Sequence, residues 1–323
     1  MNDLFILSTC GIISSCPSYA INDCYFYIGS AVSRSGGAIS VDCVSQLFIC
    51  TNSMFYKCIT GNYRGGAINV YSTGSSSGVT MNNNCAYHCY VGGPLSGQFA
   101  FIEVPSTVSL SMQYNSINRC APSSNSGYSP LYLKGASQSI KNMNSSYNTV
   151  TIISGPYFYS SNPSSCRYST FYHNVCANEE CIRFYGGSHS MMYSNIVSNN
   201  SPNKFGVVSN QNSAAASMTK CIFISNSDFL FHRSSGTLTI NQCWISHSSS
   251  LSSGTVTISD KDGETSTYQI VHFYTHFCLN PYPPTLDITP LPTLEETPMA
   301  TYKNTKDTKF HRLHMFLHSP FLL

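Results

Sequence analysis

A parallel β-helix, an all-β solenoid of about nine to ten coils, is the fold this sequence predicts. Three observations predict it. The hexapeptide GGAISV at residues 36–41 returns as GGAINV at residues 65–70, 29 residues later. An aromatic stands ten residues ahead of each copy, Phe26 before Gly36 and Phe55 before Gly65. Short β-branched and aromatic runs fill the intervals, and no apolar period of 3.6 residues interrupts them. Self-similarity at a fixed period of a few tens of residues marks stacked units, none of which can bury its own apolar face alone.

The elements follow in order. An aromatic or large aliphatic residue with a small polar residue three positions later marks one corner of each coil. The series reads Phe26/Gly29, Phe55/Cys58, Ala86/Cys89, Ile117/Cys120, Tyr147/Val150, Phe171/Asn174, Ile196/Asn199, Phe223/Asn226, Trp244/His247 and Phe273/His276, in steps of 21 to 31 residues. A second series trails it: the two GGAI phrases, then Gly97–Ile102, Pro130–Leu133, Cys181–Phe184, Phe205–Val208, Phe229–Phe231 and Gly254–Ile258. A third precedes each marker, as in Gly78-Val79-Thr80-Met81 and Thr237-Leu238-Thr239-Ile240. Three short strands per period read as one coil, rising about 4.8 Å on the last.

Stacked coils repeat environments, so they repeat residues. Gly36-Gly37 and Gly65-Gly66 supply a tight corner, while Ala38-Ile39 and Ala67-Ile68 open the strand that follows. In the third coil the phrase decays to Gly92-Gly93-Pro94-Leu95. Asn174, Asn199 and Asn226 are placed to bond turn backbone and one another. Cys58, Cys89 and Cys120, spaced by 31 and 31, stack on consecutive coils. They read as an interior ladder of small apolar groups, with a disulfide between neighbouring coils as the alternative, since strand spacing lies inside the Cα separation a disulfide requires.

Composition bounds the function. The 323 residues are 42 % hydrophobic and 9 % charged with a net charge of +2, which leaves no basic stripe for nucleic acid. Fifteen cysteines, an odd number, favour an extracellular or cell-surface setting. Two N-x-S triplets mark Asn144 and Asn199 as glycan acceptors. The opening MNDLFILSTCGIISSC has no basic residue and a short apolar run, a poor export signal, and no segment is apolar enough to span a bilayer. From Asn280 the chain turns to PYPPTLDITPLPTLEETP, an extended Thr/Pro-rich stalk. The division is therefore 1–23 as an N-terminal segment or partial cap, 24–279 as the β-helix, and 280–323 as stalk and disordered tail.

Gly36-Gly37-Ala38-Ile39 and Gly65-Gly66-Ala67-Ile68, with Phe171-Tyr172-His173-Asn174 and Phe223-Ile224-Ser225-Asn226, resemble the GGA-aliphatic and FxxN repeats of the polymorphic outer-membrane protein family. Similar repeats occur in surface proteins of parasitic flagellate protists. The likeness runs over roughly residues 20–278. It implies a right-handed β-helix of pectin-lyase-like type, displayed at a surface, with adhesion or antigenic variation as its role. A long, weakly charged face rich in Tyr, Ser and Asn suits a protein or glycan ligand.

Enzymes built on such folds use clustered carboxylates. Between residues 24 and 278 this chain offers Asp42, Glu103, Glu179, Glu180, Asp228, Asp260, Asp262 and Glu264, and outside 179–180 and 260–264 none falls on matching positions of adjacent coils. Glu179-Glu180 reads as solvated loop charge. Asp260–Glu264 lacks the spacing of a calcium loop. Gly187-Ser188-His189 has no acidic partner, and Cys85-x-x-His88-Cys89 alternates across a strand, as metal ligands do not. His311, His314 and His318 lack a companion Cys or carboxylate. The expectation is a non-catalytic protein with no catalytic, metal or cofactor residues. A polysaccharide lyase or glycoside hydrolase, and a degenerate fragment without activity, remain the alternatives.

Overall fold

The computed structural model describes residues 11–13, 18–42, 47–72, 78–121, 127–135, 137–160, 162–201, 205–227, 229–246, 252–253, 255–259, 266–270 and Cys278. Among them every regular element is a short β-strand, and paired strands run parallel. Three long sheets each take one strand per coil. The first opens with Gly11–Ile13 and holds ten strands, the second with Ser18–Asn22 and holds ten, the third with Tyr25–Tyr27 and holds nine. This is the predicted parallel solenoid. Strands Gly11–Ile13 and Ser18–Asn22 already pair with Ile39–Val41 and Leu47–Thr51, so the stack begins ahead of residue 24. Residues 280–323 lie outside the described residues.

One left-handed residue makes each corner on either side of the third sheet. Asp23, Asn52, Asn83, Tyr114, Asn142, Tyr168, Tyr193, Lys220 and Gln242 form one column, with φ between 49° and 55°. Ile28, Lys57, His88, Arg119, Tyr147, His173, Ser198 and Ser225 form the other, with φ between 50° and 55°. A side chain in this region costs about 1–2 kcal/mol. The stack holds it there because each such N–H donates to the next coil, to a carbonyl in every case but Ser225, as Ile28 does to Tyr56 at 2.8 Å and Lys57 to Tyr87 at 2.9 Å, while Ser225 N–H donates to Ser246 Oγ at 3.2 Å.

Alternation along each strand sends one set of side chains inward, and register stacks them. Ile21, Cys50, Met81, Met112, Ile140, Cys166, Met191, Met218 and Ile240 form one inner column of the second sheet. In the third sheet Phe26, Phe55, Ala86, Ile117, Ser145, Phe171, Ile196, Phe223 and Ile245 lie in one register. Phe26 and Phe55 stack at 4.8 Å, as their spacing predicts. Two markers were misplaced. Ser145, not Tyr147, holds the fifth place, because Tyr147 is a left-handed corner residue; Ile245, not Trp244, holds the ninth. Phe273 and His276 lie outside the described residues.

The double glycines have two separate reasons. Gly36 and Gly65 sit at φ +72° and +69°. Gly37 and Gly66 are bare because the next coil passes too close: a Cβ on Gly66 would lie 2.1 Å from the Gln98 carbonyl oxygen. The third member of this column is Gly97-Gln98-Phe99-Ala100, not Gly92-Gly93-Pro94-Leu95: Gly66 N–H donates to Gly97 O, and Ala67 and Ile68 both donate to Phe99 O. Phe99 stands where Ala38 and Ala67 stand in earlier coils, and Ala86 stands where Phe26 and Phe55 do. The Phe99 ring packs 5.6 Å from Phe55, filling the space that Ala86 leaves.

The third place after the marker is a continuous buried ladder. It passes from Gly29 through Cys58, Cys89 and Cys120 to Asn148, Asn174, Asn199 and Asn226. Each Asn Oδ1 accepts the backbone N–H of the preceding rung, at 2.8 Å from Cys120, 3.1 Å from Asn148 and Asn174, and 2.9 Å from Asn199. Each Nδ2 reaches back to a carbonyl of the previous coil, as Asn174 does to Ser145 and Asn226 to Ile196, both at 2.8 Å. The thiols do likewise: Cys89 donates to Phe55 O at 3.4 Å. All three cysteines carry free thiols, so the interior ladder holds and no disulfide joins neighbouring coils there. A shorter ladder at the corner entering the third sheet, Ser53–Asn84–Asn115 and Ser169–Ser194, escaped the sequence reading.

Asn199 is committed to this ladder, and Asn144 is wholly buried on the third sheet. Neither amide is open to carry a glycan in this fold, which corrects both acceptor assignments. The C-terminal end of the predicted β-helix also departs from expectation. Thr257–Ser259 joins the second sheet rather than the first. Cys278 bonds Cys85, 193 residues earlier, and so lies against the third coil rather than at the end of the stack.

Candidate functional site

The outer face of the first sheet carries the densest collection of rings and charges among the described residues. Four strands build it: Ala100–Glu103, Leu131–Gly135, Pro156–Ser160 and Ile182–Tyr185. Their inward residues, such as Ile102, Leu133, Phe158 and Phe184, fill the core. Alternation then turns Phe101, Tyr132, Tyr157 and Arg183 outward in one column. Glu103, Lys134, Tyr159 and Tyr185 form the second column beside it.

The rings interlock along the stack. Phe101 and Tyr132 lie parallel at 4.6 Å, and Tyr159 and Tyr185 at 4.9 Å. Tyr157 is turned across its neighbours, 84° from both Tyr132 and Tyr185. Cations cover ring faces: Arg64 over Phe101 at 4.5 Å, Lys134 over Tyr159 at 5.3 Å, Arg183 over Tyr157 at 5.3 Å. Each such contact contributes about 0.5–2 kcal/mol according to its exposure. Glu103 ties two of these cations together, 2.7 Å from Lys134 Nζ and 3.5 Å from Arg64 Nη1.

Arg183 is the buried anchor of this face. Its Nη2 donates to Glu179 Oε2 and its Nε to Glu180 Oε1. Glu180 is fully buried, and its backbone carbonyl accepts from Ser154 N–H at 3.2 Å. Loss of solvent pushes the Glu180 carboxyl upward and the Arg183 guanidinium downward from their ordinary ranges. The ion pair opposes both shifts, and removing one partner would strand a buried charge. Glu179-Glu180 is thus no solvated loop pair; one guanidinium gathers both carboxylates. Burial also pushes the Tyr157 hydroxyl up to about 12, so it remains a protonated donor.

Other sequence candidates fall elsewhere. His189, from the Gly187-Ser188-His189 element, points into the core against Phe184 at 5.3 Å and donates from Nε2 to Gly186 O at 2.5 Å. Cys85 is in a disulfide, Cys89 lies in the interior ladder, and His88 is a corner residue, so the three do not gather on a metal. Among the described residues no group of three or more His, Cys, Asp or Glu is arranged to hold a metal ion. No helix among them is long and apolar enough to cross a membrane. Asp260–Glu264 and His311, His314 and His318 lie outside the described residues.

Sequence reasoning missed Tyr157, Tyr159, Arg183 and Tyr185 as a set. Their signal was present in LYLK, PYFY and IRFY at residues 131–134, 156–159 and 182–185, where every second residue is aromatic or basic at one register. No protein-family model, curated protein or solved structure matches this chain.

Proposed function

We propose that this protein is a non-catalytic binding module of the cell surface or extracellular space, which holds a glycan or protein ligand along the outer face of its first sheet. The interleaved column of Tyr132, Tyr157, Tyr159 and Tyr185 with Lys134, Arg64 and Arg183 supports this reading. Stacked rings occupy one another's faces, so a ligand meets ring edges, phenolic hydroxyls and cations. Such surfaces contact ligands with little loss of side-chain entropy because the rings are already fixed. The resemblance to polymorphic outer-membrane and pectin-lyase-like repeats points the same way.

The carboxylates give less support to a hydrolase. Glu179 and Glu180 converge, but both are engaged by Arg183, and Glu180 has no solvent contact. A glycosidase needs one protonated carboxyl and one carboxylate open to the sugar on either side of the bond.

The test is direct binding of immobilised neutral and acidic oligosaccharides and of extracellular-matrix proteins to the full chain. Tyr159→Ala and Lys134→Ala should each weaken capture about fivefold to tenfold, the scale of a lost interfacial anchor. Ser111→Ala, on the second sheet, should leave it unchanged. Capture indifferent to both first-sheet variants would refute the assignment of the face.

A further inference from the structure

The outer face of the third sheet poses a separate question: what covers it? Its first outward column runs Tyr25, Met54, Cys85, Ser116, Asn144, Thr170, Asn195, Ile222 and Trp244. From Cys85 to Ile222 these residues are buried, whereas Tyr25 and Met54 before them and Trp244 after them are only half-buried. On the second sheet the outward Ser109 is exposed and Ser111 half-buried. Outward polar groups are buried on the first sheet too, at Ser40, Asn69, Arg183 and Ser209, but there the half-buried Tyr132 and Tyr157 interrupt the column, whereas the third sheet's buried stretch from Cys85 to Ile222 is unbroken.

Two described anchors bracket that stretch. At one end the Asn195 side chain reads a peptide backbone in both directions: Nδ2 donates to Tyr268 O at 2.9 Å, and Tyr268 N–H donates to Asn195 Oδ1 at 2.9 Å. The Tyr268 hydroxyl donates to Lys220 O at 2.7 Å, and its ring meets Tyr193 edge-on at 6.0 Å. At the other end, four rungs away, Cys278 is bonded to Cys85. Four rungs span about 19 Å, well within the reach of the nine residues between the anchors. The intervening sequence QIVHFYTHF has no Pro, Gly, Asp, Glu, Lys or Arg and is rich in residues that favour extended chain.

We infer that the third sheet's outer face is a binding groove for an extended polypeptide, occupied by this chain's own segment around Tyr268 and Cys278 and locked by the Cys85–Cys278 disulfide. Recognition rests on the amide of Asn195 pairing with main chain, supported by hydroxyl and amide groups along the column, so it selects an extended backbone rather than a particular side chain. A dithiol opens the lock: two thiols form at Cys85 and Cys278 while the dithiol becomes a disulfide, with two electrons and two protons transferred. The inference is independent of the ligand reading for the first sheet.

The experiment uses full-length Cys278→Ser protein, in which Cys85 is a thiol. It is offered a synthetic peptide of residues 266–280 whose cysteine carries a thionitrobenzoate group. The Cys85 thiolate attacks the peptide sulfur, thionitrobenzoate leaves with the bonding pair, and a protein–peptide disulfide forms; peptide mapping confirms Cys85 as the site. Docking in the groove should make capture about a hundredfold faster than for a scrambled peptide with the same cysteine. Adding Asn195→Ala should bring it down to the scrambled rate. Equal rates for the two peptides, or indifference to Asn195→Ala, would overturn the proposal. A second measurement uses the unmutated protein: dithiol reduction should speed hydrogen exchange at the Tyr268 amide while strands Asn144–Ser146 and Asn195–Val197 keep their protection. Loss of protection throughout the third sheet would show the segment to be part of the fold rather than a ligand of it.

Discussion

Replacing Asn174 by Ala tests whether the asparagine ladder holds the stack together. Asn174 is fully buried, and its side chain makes four hydrogen bonds. Its Oδ1 accepts from the Asn148 backbone N–H at 3.1 Å and from Asn148 Nδ2 at 3.0 Å. Its Nδ2 donates to Ser145 O at 2.8 Å and to Asn199 Oδ1 at 3.1 Å. At a net contribution of about 1 kcal/mol each, Asn174→Ala should destabilise by about 4 kcal/mol, with about 2 kcal/mol as the floor. Asn174→Cys should cost about 1 kcal/mol less, because a thiol in this place donates to the previous coil's carbonyl as Cys89 does. Urea unfolding followed by far-ultraviolet circular dichroism reads both variants. A weakened middle rung would also let the stack part into two units, which appears as a shallower transition. Asn174→Ala within about 0.5 kcal/mol of the parent would refute the argument, since it would mean that water replaces these bonds at no cost.

Three further expectations follow from the same geometry. Phe99→Ala should cost about 3–5 kcal/mol by opening a cavity beside Phe55, and adding Ala86→Phe should recover part of that loss, a coupling that a double-mutant cycle measures. Gly66→Ala should destabilise by about 1–3 kcal/mol, since its Cβ would meet Gln98 and Tyr90 backbone at 2.1 and 2.7 Å, whereas Gly78→Ala meets the Leu47 and Ser109 side chains at ordinary contact distances of 3.4 and 3.9 Å and should be tolerated in thermal melts. Burial lowers the pKa of His189, so the unfolded chain takes up a proton that the folded chain refuses. The stability from this group is complete above its ordinary value and is lost as pH falls from about 6.5 toward the depressed folded value. Urea midpoints measured across that window should fall with acidification in the parent and less steeply in His189→Gln.

Much of the solenoid was legible because stacking copies environments. Phe26 and Phe55, or Cys58, Cys89 and Cys120, recur because each meets the same neighbours one rung apart. Legibility failed where two positions exchanged roles. Ala86 and Phe99 together fill what a Phe and an Ala fill in the coil before, so neither position alone carries the pattern. It failed again at Ser145, a polar residue in an aromatic column, where the neighbouring Tyr147 looked the better match. The left-handed corners were invisible in sequence because Asp, Asn, Tyr, Lys and Gln all occupy one of them. Neighbouring coils fix that geometry, so no propensity records it. The Cys85–Cys278 bond and the Arg183 cluster join positions that no short period relates.

The cysteine content takes on a different meaning in this light. Among the described residues a single disulfide forms and ten cysteines are free. Nine of those ten are buried, and Cys50 sits in the Met81–Met112 column exactly as an apolar residue would be placed by register. Loss of solvent pushes the thiols of Cys58 and Cys89 well above their ordinary range, which keeps them protonated and unreactive. Cysteine recurs because it is small, tolerates burial and still donates weakly to a carbonyl, which are the demands of a corner ladder that asparagine meets further along. The chemistry of the one disulfide is of another kind. It closes no gap between neighbouring rungs but ties a distant segment across a face, and so it is the cysteine pair whose reduction would change what the surface presents while leaving the stack intact.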